Sequence, residues 1–535
     1  MPPIPTWTPP TALSPAEERV LRRCKKQPIF GFLRAIRHQL FDDAFQRELA
    51  GMYDGGQRGR SPVAPALLAM ATLLQAARHM SDQDAAGAAV TDRAWQVVLG
   101  TLDASDQEED EDEETAPFSQ TTLFEFRLRL IAHDMDRRLV ERTLDLATRS
   151  KLFSPRSLRA AFDSSPLRGA GRVEDTINLL GHAARDLVHT LARRFDKPFD
   201  QMAREAGIPL LEGSSLKAAL DIDWTDPTQA HGALQRLAEQ LGALSAFIEK
   251  HLSEERERPP LREQLAALQQ VSRQDLEPDP SGSGVRIKRG VAKERRISIK
   301  DPQMRHGRKS KAVRFDGYKR HAATLRGERV KLIGAVALTA ANRPEGEAAF
   351  DLFADVERQG LSIATLDVDR AYLLSPPVQW RRGLGLHINC RAPSAGHGEL
   401  YDKTRFELDL GRGRLECPAG QERPARAGST VHFDARVCAE CPQKAKCTTS
   451  QKGRSVTLHP QEAQLVELRR KQRTPAGRAE LRKRVTVEHT LARIGQVQGP
   501  KARYWGLRRN LFDVRRAAVI ANLFALREAG FAEAA

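Results

Sequence analysis

The sequence has few cysteines and no long apolar run. Six cysteines in 535 residues are too few for a disulfide scaffold, and four of them fall within one short segment. The most apolar helical stretch, residues 67–77, is far too short to cross a bilayer. The first fifteen residues lack the basic region and apolar core of a secretory signal. These absences argue against secreted disulfide-rich and membrane-spanning classes and predict a cytoplasmic protein.

Basic residues are in excess. The net charge is +16, although residues 103–114 carry nine carboxylates and no base. A hydrophobic content of 40% supports at least one substantial core. The basic surplus favours a polyanionic partner, because neutralising phosphates releases condensed counterions. A basic protein without a nucleic-acid role is equally compatible with the charge alone, and the acidic run is typical of a solvated loop.

Helical patterns fill the first part of the chain. Ser81 and Asp84 form a capping pair, and Thr122 with Glu125 predicts a second capping box. We predict a helical N-terminal domain over residues 1–150. Short helices in a basic protein allow a helix-turn-helix DNA reader, and a bundle used for packing or dimerisation accounts for them equally well.

Residues 151–535 alternate strand and helix patterns. A strand-like run ends at Asp163, and a helical insertion follows over residues 174–284, whose last eight residues have the composition of a flexible linker. Two strands joined by a predicted hairpin turn at residues 326–328, a helix and the strand that leads to Asp369 come next. This β-β-β-α-β order is compatible with a mixed sheet flanked by helices, so we predict an α/β domain.

Three acidic residues of this domain stand in different local settings. Asp163 and Asp369 are placed at strand ends, and Glu488 lies on a basic predicted helix. Two divalent ions about 4 Å apart need anionic oxygen ligands from separate elements, which two strands and one helix can supply. Such a site would serve phosphoryl transfer on nucleic acid. Each acid alone is weak evidence, because Arg484 and Glu488 also have the i,i+4 spacing of a surface ion pair.

An ordered series of segments between residues 40 and 525 carries a family resemblance. The segments are RGRSPVAPALLAMATLL, TTLFEFRLRL, FDSSPLRGAGRVEDT, DPQMRHGRKSKAVRFDGYKRHAAT, LDVDRAYLLSPPV and RVTVEHTLARIGQVQGPKARYWGLRRNLFDVRRAAVIANL. Together they resemble bacterial insertion-sequence transposases of the DDE type. The resemblance implies a ribonuclease H-like catalytic domain behind an all-helical N-terminal domain. It also implies Asp163, Asp369 and Glu488 as the catalytic residues, which bind two Mg²⁺ or Mn²⁺ ions.

The activity that the resemblance implies is DNA transposition. Water would attack the donor DNA at the element ends, and the freed 3′-hydroxyl would then attack a target phosphodiester. Double-stranded DNA is the expected partner, and synapsis of two ends predicts a homodimer in a bacterial, nucleoid-associated setting. A ribonuclease H-like nuclease without strand transfer and a non-catalytic transposase-derived DNA-binding protein stay open as alternatives.

Two details of the sequence affect how the site residues of the family are assigned to this chain. Related transposases often have a tyrosine before the arginine and a lysine after the glutamate, whereas Leu481 and Gly495 stand near those places here. Asp367 also competes with Asp369, because both lie in one short run. We prefer Asp369, which directly precedes the sequence RAY, where the strand should give way to a loop.

Basic residues crowd the sequence around Glu488. Residues 465–516 contain fifteen Lys or Arg against four Asp or Glu. For a single arginine a solvated helix face is the more common role, but the stretch as a whole favours phosphate binding. The candidate DNA contacts are Arg484, Arg493, Lys501 and Arg503. On the predicted helix of Glu488, we expect Val487, Leu491 and Ile494 to be core residues.

A second insertion, about residues 390–460, carries four cysteines. Three of them have C-x2-C-x5-C spacing; the four are Cys417, Cys438, Cys441 and Cys447. Tetrahedral zinc favours thiolates delivered by tight turns, so the segment predicts a structural Zn²⁺ knuckle, with His432 as an alternative ligand. Reduced cysteines without metal account for the spacing equally well.

Overall fold

A computed structural model of the chain describes residues 4–53, 61–102, 116–282, 284–310, 312–396 and 398–531, without the side chains of residues 485, 486 and 488. The acidic run of residues 103–114, interpreted above as a solvated loop, lies outside these ranges. Within them, every helix is too short or too polar to cross a membrane.

Thirteen strands are found in the described ranges. In chain order they are β1 (Leu158–Arg168), β2 (Leu276–Pro278), β3 (Val285–Ile287), β4 (Arg305–Arg308), β5 (Arg314–Arg326), β6 (Lys331–Ala340), β7 (Ile363–Asp367), β8 (His387–Asn389), β9 (Glu407–Asp409), β10 (Arg414–Glu416), β11 (Glu422–Pro424), β12 (Thr430–His432) and β13 (Ser455–Thr457).

The helices surround and interrupt these strands. In chain order they are α1 (Pro15–Arg23), α2 (Ile29–Leu40), α3 (Asp43–Ala50), α4 (Pro65–Arg78), α5 (Asp82–Thr91), α6 (Arg93–Leu99), α7 (Gln120–Ala132), α8 (Met135–Arg149), α9 (Thr176–Arg194), α10 (Phe199–Glu205), α11 (Leu216–Leu220), α12 (Pro227–Leu252), α13 (Leu261–Asp275), α14 (Ala349–Arg358), α15 (Arg370–Leu373), α16 (Pro376–Gly383), α17 (Ala435–Ala439), α18 (Lys444–Cys447), α19 (Glu462–Arg473), α20 (Pro475–Arg482), α21 (Thr486–Gln498) and α22 (Leu507–Glu528). Short 3-10 helices span Pro209–Leu211, Glu345–Ala348, Lys403–Arg405 and Lys483–Val485.

A six-stranded mixed sheet lies at the centre of the fold. Its order is β4-β5-β1-β7-β8, and β6 pairs with β5 as well. Strand β1 is antiparallel to β5 and parallel to β7, while β7 is parallel to β8. The predicted mixed sheet flanked by helices is therefore confirmed. The predicted hairpin is also present, with β5 and β6 antiparallel and Gly327 N donating to the Val330 carbonyl at 2.9 Å.

The prediction that the first strand ends at Asp163 is wrong. Strand β1 continues to Arg168, because the long strand β5 pairs with it from Arg159, opposite Arg326, to Arg168, opposite Gly317. Only the parallel pairing with β7 stops early. Asp163 therefore lies in the middle of β1, at a point where β1 still pairs with β5 but no longer pairs with β7.

One hydrophobic core joins the N-terminal helices to the sheet. The C-terminal helix α22 packs against β6, α8 and α4. Buried Asn522 on α22 accepts a hydrogen bond from Ile333 N at 2.7 Å and donates one to the Ile333 carbonyl at 2.9 Å. This side chain satisfies backbone groups of β6 that would otherwise be costly to bury.

The two insertions have cores of their own. Helices α9 to α13 bury a separate apolar cluster, and the segment from Phe406 to Leu458 buries a much smaller one. The flexible linker predicted over residues 277–284 is wrong, because Leu276–Pro278 pairs with Val285–Ile287 as a two-stranded hairpin.

The two predicted helix caps have different outcomes. Ser81 and Asp84 form the predicted capping box of α5. The box at Thr122 and Glu125 is wrong, because the N-cap of α7 is Ser119, whose side chain accepts from Thr122 N at 3.1 Å.

Candidate active site

Strand pairing brings Asp163 and Asp369 to the same edge of the sheet. In the parallel pair β1 and β7, Ala161 lies opposite Asp367. Each aspartate comes two residues after one member of this pair. Since parallel strands advance in the same direction and side chains alternate between faces, Asp163 and Asp369 occupy equivalent positions relative to this pair.

Backbone amides orient both carboxylates. Asp369 is the N-cap of α15, and its Oδ1 accepts from Ala371 N at 2.9 Å and from Tyr372 N at 3.3 Å. Asp163 Oδ1 accepts from Ser164 N at 2.9 Å. Each carboxylate is thus held through one oxygen by the main chain, which fixes its direction without neutralising its charge.

Asp367 has a different environment from Asp369. It is buried, and the Arg159 guanidinium donates to both of its oxygens at 2.6 Å. Asn389 Nδ2 donates to Asp367 as well. A bidentate pair of this kind occupies the carboxylate with structural bonds, so Asp367 serves to join β1, β7 and β8. This arrangement favours Asp369 over Asp367 as the functional acid.

A third acid near the two aspartates, Glu345, did not emerge from the sequence. It begins the 3-10 helix after β6. Burial raises the pKa of Glu345, and the charges of Asp369 and Asp163 raise it further, whereas Lys319 lowers it. The Lys319 Nζ lies 3.8 Å from Glu345 Oε1.

A signal for Glu345 was available in the strand order. Strands β1 and β6 both pair antiparallel with β5, so they run in the same direction. Acids that follow the carboxyl ends of such strands meet at one edge of a sheet, where open α/β sheets commonly bind ligands.

Uncharged side chains form a hydrogen-bonded network near the acids. Buried Tyr372 places its Oη 2.5 Å from His321 Nδ1, and His321 Nε2 lies 2.9 Å from Thr339 Oγ1. Burial lowers the pKa of His321 to about 3, so the ring is neutral at physiological pH. Burial and then the charges of Glu345, Asp369 and Asp163 raise the pKa of Tyr372 well above its ordinary value. These side chains therefore form a rigid network of neutral groups in a low dielectric.

The helix that carries Glu488 is anchored beside β1. The predicted core residues Val487, Leu491 and Ile494 are buried, as expected. Buried Arg320 on β5 donates to Gln498 Oε1 at 3.0 Å and to the Gly499 carbonyl at 3.1 Å at the end of α21. These contacts fix the helix along the strand that carries Asp163.

Arg484 connects this helix to the acids. It lies in the 3-10 turn before α21, and its Nη2 is 3.4 Å from Asp163 Oδ2. Glu488 follows four residues later on α21, which is about one helical turn. Its side chain lies outside the described set, so the position of residue 488 is defined by its backbone alone.

The other predicted DNA contacts lie elsewhere. Arg493 donates to Glu528 at 2.8 Å, and exposed Arg503 donates to the Met80 carbonyl. Lys501 is exposed, and its backbone bridges to Arg168 at the end of β1. Of the four, Arg484 is therefore the one that contacts a candidate acid among the described side chains.

The donor set at the sheet edge suits a hard divalent cation. Carboxylate oxygens are the ligands that Mg²⁺ and Mn²⁺ prefer. Among the described side chains, no three His, Cys, Asp or Glu groups are arranged around a common ion position. Glu488, the third family acid, is not part of that described set.

The four cysteines of the second insertion line one cavity of about 190 Å³. Cys417, Cys438, Cys441 and Cys447 are all partly buried there, although their side chains do not surround a common ion position. Gln421 N donates to Cys417 Sγ at 3.4 Å. His432 does not line this cavity; its Nδ1 lies 2.9 Å from Ser455 Oγ.

Two family models match the chain. A transposase DDE domain matches residues 416–527, and a transposase domain (DUF772) matches residues 21–127. No curated protein and no solved structure matches it. The protein is therefore a DNA transposase. The two matches support an insertion-sequence transposase of the DDE type. The DDE match includes Glu488 and the four cysteines but neither Asp163 nor Asp369.

The different environments of the two neighbouring aspartates give a stability prediction. Asp367→Asn should lower the free energy of unfolding by about 1.5–3 kcal/mol, because it removes charge-assisted hydrogen bonds from a buried position. Asp369→Asn should leave stability nearly unchanged, since Asn is as good an N-cap as Asp. Thermal denaturation of the two variants beside wild type measures this difference, and equal destabilisation would contradict the assignment.

Proposed function

We propose that the mixed sheet is a ribonuclease H-like catalytic domain in which Asp163, Asp369 and Glu488 catalyse DNA strand cleavage and strand transfer. The order β6-β5-β1-β7-β8, with β7 and β8 parallel to β1, supports the fold. The main support for the site is the parallel register of β1 and β7, in which Ala161 lies opposite Asp367, two residues before each proposed catalytic aspartate. Arg484, one turn before Glu488, supports the third member through its contact with Asp163.

The chain's own groups would prepare two in-line displacements at phosphorus. Asp163, Asp369 and Glu488 would hold two divalent ions, which lower the pKa of the attacking hydroxyl and stabilise the leaving oxygen. The backbone amides at Ala371 and Ser164 keep two of these carboxylates in fixed directions before DNA arrives. Such preorganisation avoids reorientation of the ligands during the reaction.

Water is the nucleophile in the first displacement, and the product is a free 3′-hydroxyl at the element end. That hydroxyl attacks a target phosphodiester in the second displacement, which joins element to target and releases one target 3′-oxygen. Bonds formed and broken balance in each step, so no covalent enzyme intermediate is needed. Arg484, whose Nη2 lies 3.4 Å from Asp163 Oδ2, would contact the phosphate that reacts beside Asp163.

DNA binding would extend beyond the acids along the basic segment that includes Lys501 and Arg503. Both residues are exposed, and Trp505 beside them is 50% exposed, which suits backbone contacts and base stacking. We further propose that two copies bring the two element ends together, as synapsis requires.

Substitution of the three acids tests the catalytic assignment. Asp163→Asn, Asp369→Asn and Glu488→Gln should each slow Mg²⁺-dependent cleavage of element-end DNA by about 10³-fold, equivalent to roughly 4 kcal/mol of lost transition-state stabilisation. Binding to the same DNA should persist, because these substitutions remove negative charge. Gel assays of nicked and joined products measure both steps.

Glu347→Gln provides a matched control for these variants, since Glu347 is exposed. It should cleave and join like wild type. Normal cleavage by any of the three acid variants would remove that residue from the catalytic set. Cleavage without joined product in wild type, even from a pre-cleaved end, would favour the nuclease alternative.

We also propose that Cys417, Cys438, Cys441 and Cys447 bind a structural Zn²⁺ ion. All four thiols line one cavity, and burial raises the pKa of Cys447, with a further contribution from the other three cysteines. The apolar cluster of this insertion contains only seven fully buried side chains. Units with so small a core usually need a metal or disulfide for stability.

Metal analysis of the purified full chain tests the zinc proposal. Wild type should contain one zinc per chain, and Cys438→Ser should lose the zinc and lower the thermal midpoint. Cys24→Ser is the control, because Cys24 packs against the main core, far from this cavity in the chain. Zinc-free wild-type protein whose thermal midpoint does not change on adding zinc would contradict the proposal.

A further inference from the structure

Residues 305–308 and 314–317 form a two-stranded ribbon that extends past the main sheet. Strand β4 pairs with the first residues of β5, from Arg305 opposite Gly317 to Arg308 opposite Arg314. In the described registers, the pairing of β5 with β1 starts at Gly317, and its pairing with β6 starts at Tyr318. Residues 314–316 of β5 therefore pair with β4 alone.

The ribbon projects from the end of the sheet where the candidate acids lie. Strand β5 is antiparallel to β1, so the residues before Gly317 continue beyond Arg168, the last residue of β1. Asp163 lies opposite Ala322 in the same register. At about 3.3 Å per residue, Gly317 is about 17 Å along the strand from the level of Asp163. A duplex that runs from the acids toward the ribbon reaches it within about five base pairs, since each adds about 3.4 Å.

The two faces of the ribbon differ. On the inner face Phe315 is buried, and a Cβ atom added at Gly307 would lie 2.6 Å from Ala341 Cβ, so the ribbon packs closely against the turn after β6. Because side chains alternate along a strand, the outer face carries charged and ionisable residues. They are His306, Arg308, Arg314 and Asp316. Packing of the inner face thus fixes the direction of the outer face.

Two arginines lie directly opposite each other on the outer face. Arg308 pairs with Arg314 across the ribbon, and both are exposed. The next pair has its own contact, since His306 Nδ1 lies 2.6 Å from Asp316 Oδ1. No described carboxylate comes within 4.0 Å of the charged groups of either arginine. Like charges directly opposite each other destabilise a strand pair, so this position favours an anion from outside the described chain.

The sequence around the tip of the ribbon is basic. Residues 305–315 contain five Lys or Arg and no Asp or Glu. Lys309 is exposed, and its backbone N donates to the Val313 carbonyl at 2.9 Å, which closes the turn. The major groove of B-DNA admits a two-stranded ribbon, and arginine is a common partner of the phosphates along it.

We propose that the outer face of the ribbon binds backbone phosphates of the DNA duplex that is cleaved, with Arg308 and Arg314 as its main contacts. The inference rests on the proposed function, because it assigns a second contact surface for the same DNA. Phosphate contacts carry no sequence information, so the ribbon positions the duplex relative to the acids without selecting its sequence.

Binding of the full-length protein to element-end DNA without metal tests this assignment. Arg308→Gln combined with Arg314→Gln should weaken binding about tenfold, and an unrelated duplex should lose as much. The slope of log affinity against log salt should become shallower by about 1.8, because each phosphate contact contributes about 0.9. The thermal midpoint should not fall, since two opposed charges are removed. Fluorescence anisotropy at several salt concentrations measures the affinity and the slope.

Two further variants separate the ribbon from net charge. Lys250→Gln combined with Arg258→Gln removes the same charge from exposed positions of the helical insertion and should bind DNA within about twofold of wild type. Arg308→Glu makes the same change in net charge but places opposite charges across the ribbon. It should weaken DNA binding at least as much as the arginine double variant, with a thermal midpoint no lower than that of wild type.

Affinity within about twofold of wild type in the arginine double variant, with an unchanged salt slope, would overturn the inference. Equal weakening in the variant of Lys250 and Arg258 would overturn it too, because net charge alone would then explain the loss. A thermal midpoint that falls together with DNA affinity would give the arginines a structural role instead. Failure of the proposed function is a separate observation: wild type would bind DNA through the ribbon yet form no cleaved product with Mg²⁺.

Discussion

The parallel pairing of β1 with β7 determines where the acidic side chains of this transposase lie. With Ala161 opposite Asp367, the two strands carry Asp163 and Asp369 to equivalent positions at one edge. A shift of the register by one residue would move one of the two carboxylates to the other face. The site therefore depends on interactions that hold this register, above all the Arg159 fork on Asp367 and the Asn389 hydrogen bond beside it.

A division of roles follows from that pairing. Asp367 is buried and bound by its arginine, whereas Asp369, two residues later, caps a short helix through one oxygen. The hydrogen-bonded pair of His321 and Tyr372 is neutral and adds no charge near these acids. Structural ion pairing and the candidate chemistry thus involve two different carboxylates, Asp367 and Asp369, at the end of one strand.

Local patterns predicted several elements well. Alternating apolar residues and a tight turn predicted the β5 and β6 hairpin. Apolar spacing identified Val487, Leu491 and Ile494 as buried. Each of these features depends on residues that are close in the sequence, so the sequence alone predicts them. The roles of Asp163, Asp369 and Glu488 remain predictions.

Features set by distant partners were missed. Strand β1 extends past Asp163 because β5, some 150 residues away, continues to pair with it. The supposed linker at 277–284 joins two strands whose pairing stabilises it, and Ser119 replaced the expected cap of α7. Glu345 was overlooked because the nearest base, Lys319, lies on β5 and is distant in sequence. Sequence spacing alone does not encode such contacts.

The central claim is that the sheet edge between β1 and β7 is the metal-dependent catalytic centre. Anomalous diffraction from crystals of the full chain with element-end DNA and Mn²⁺ tests it most directly. The account predicts manganese peaks within coordination distance of the Asp163 and Asp369 carboxylates, beside the DNA phosphate. Manganese bound at other residues, with the DNA phosphate distant from this edge, would contradict it.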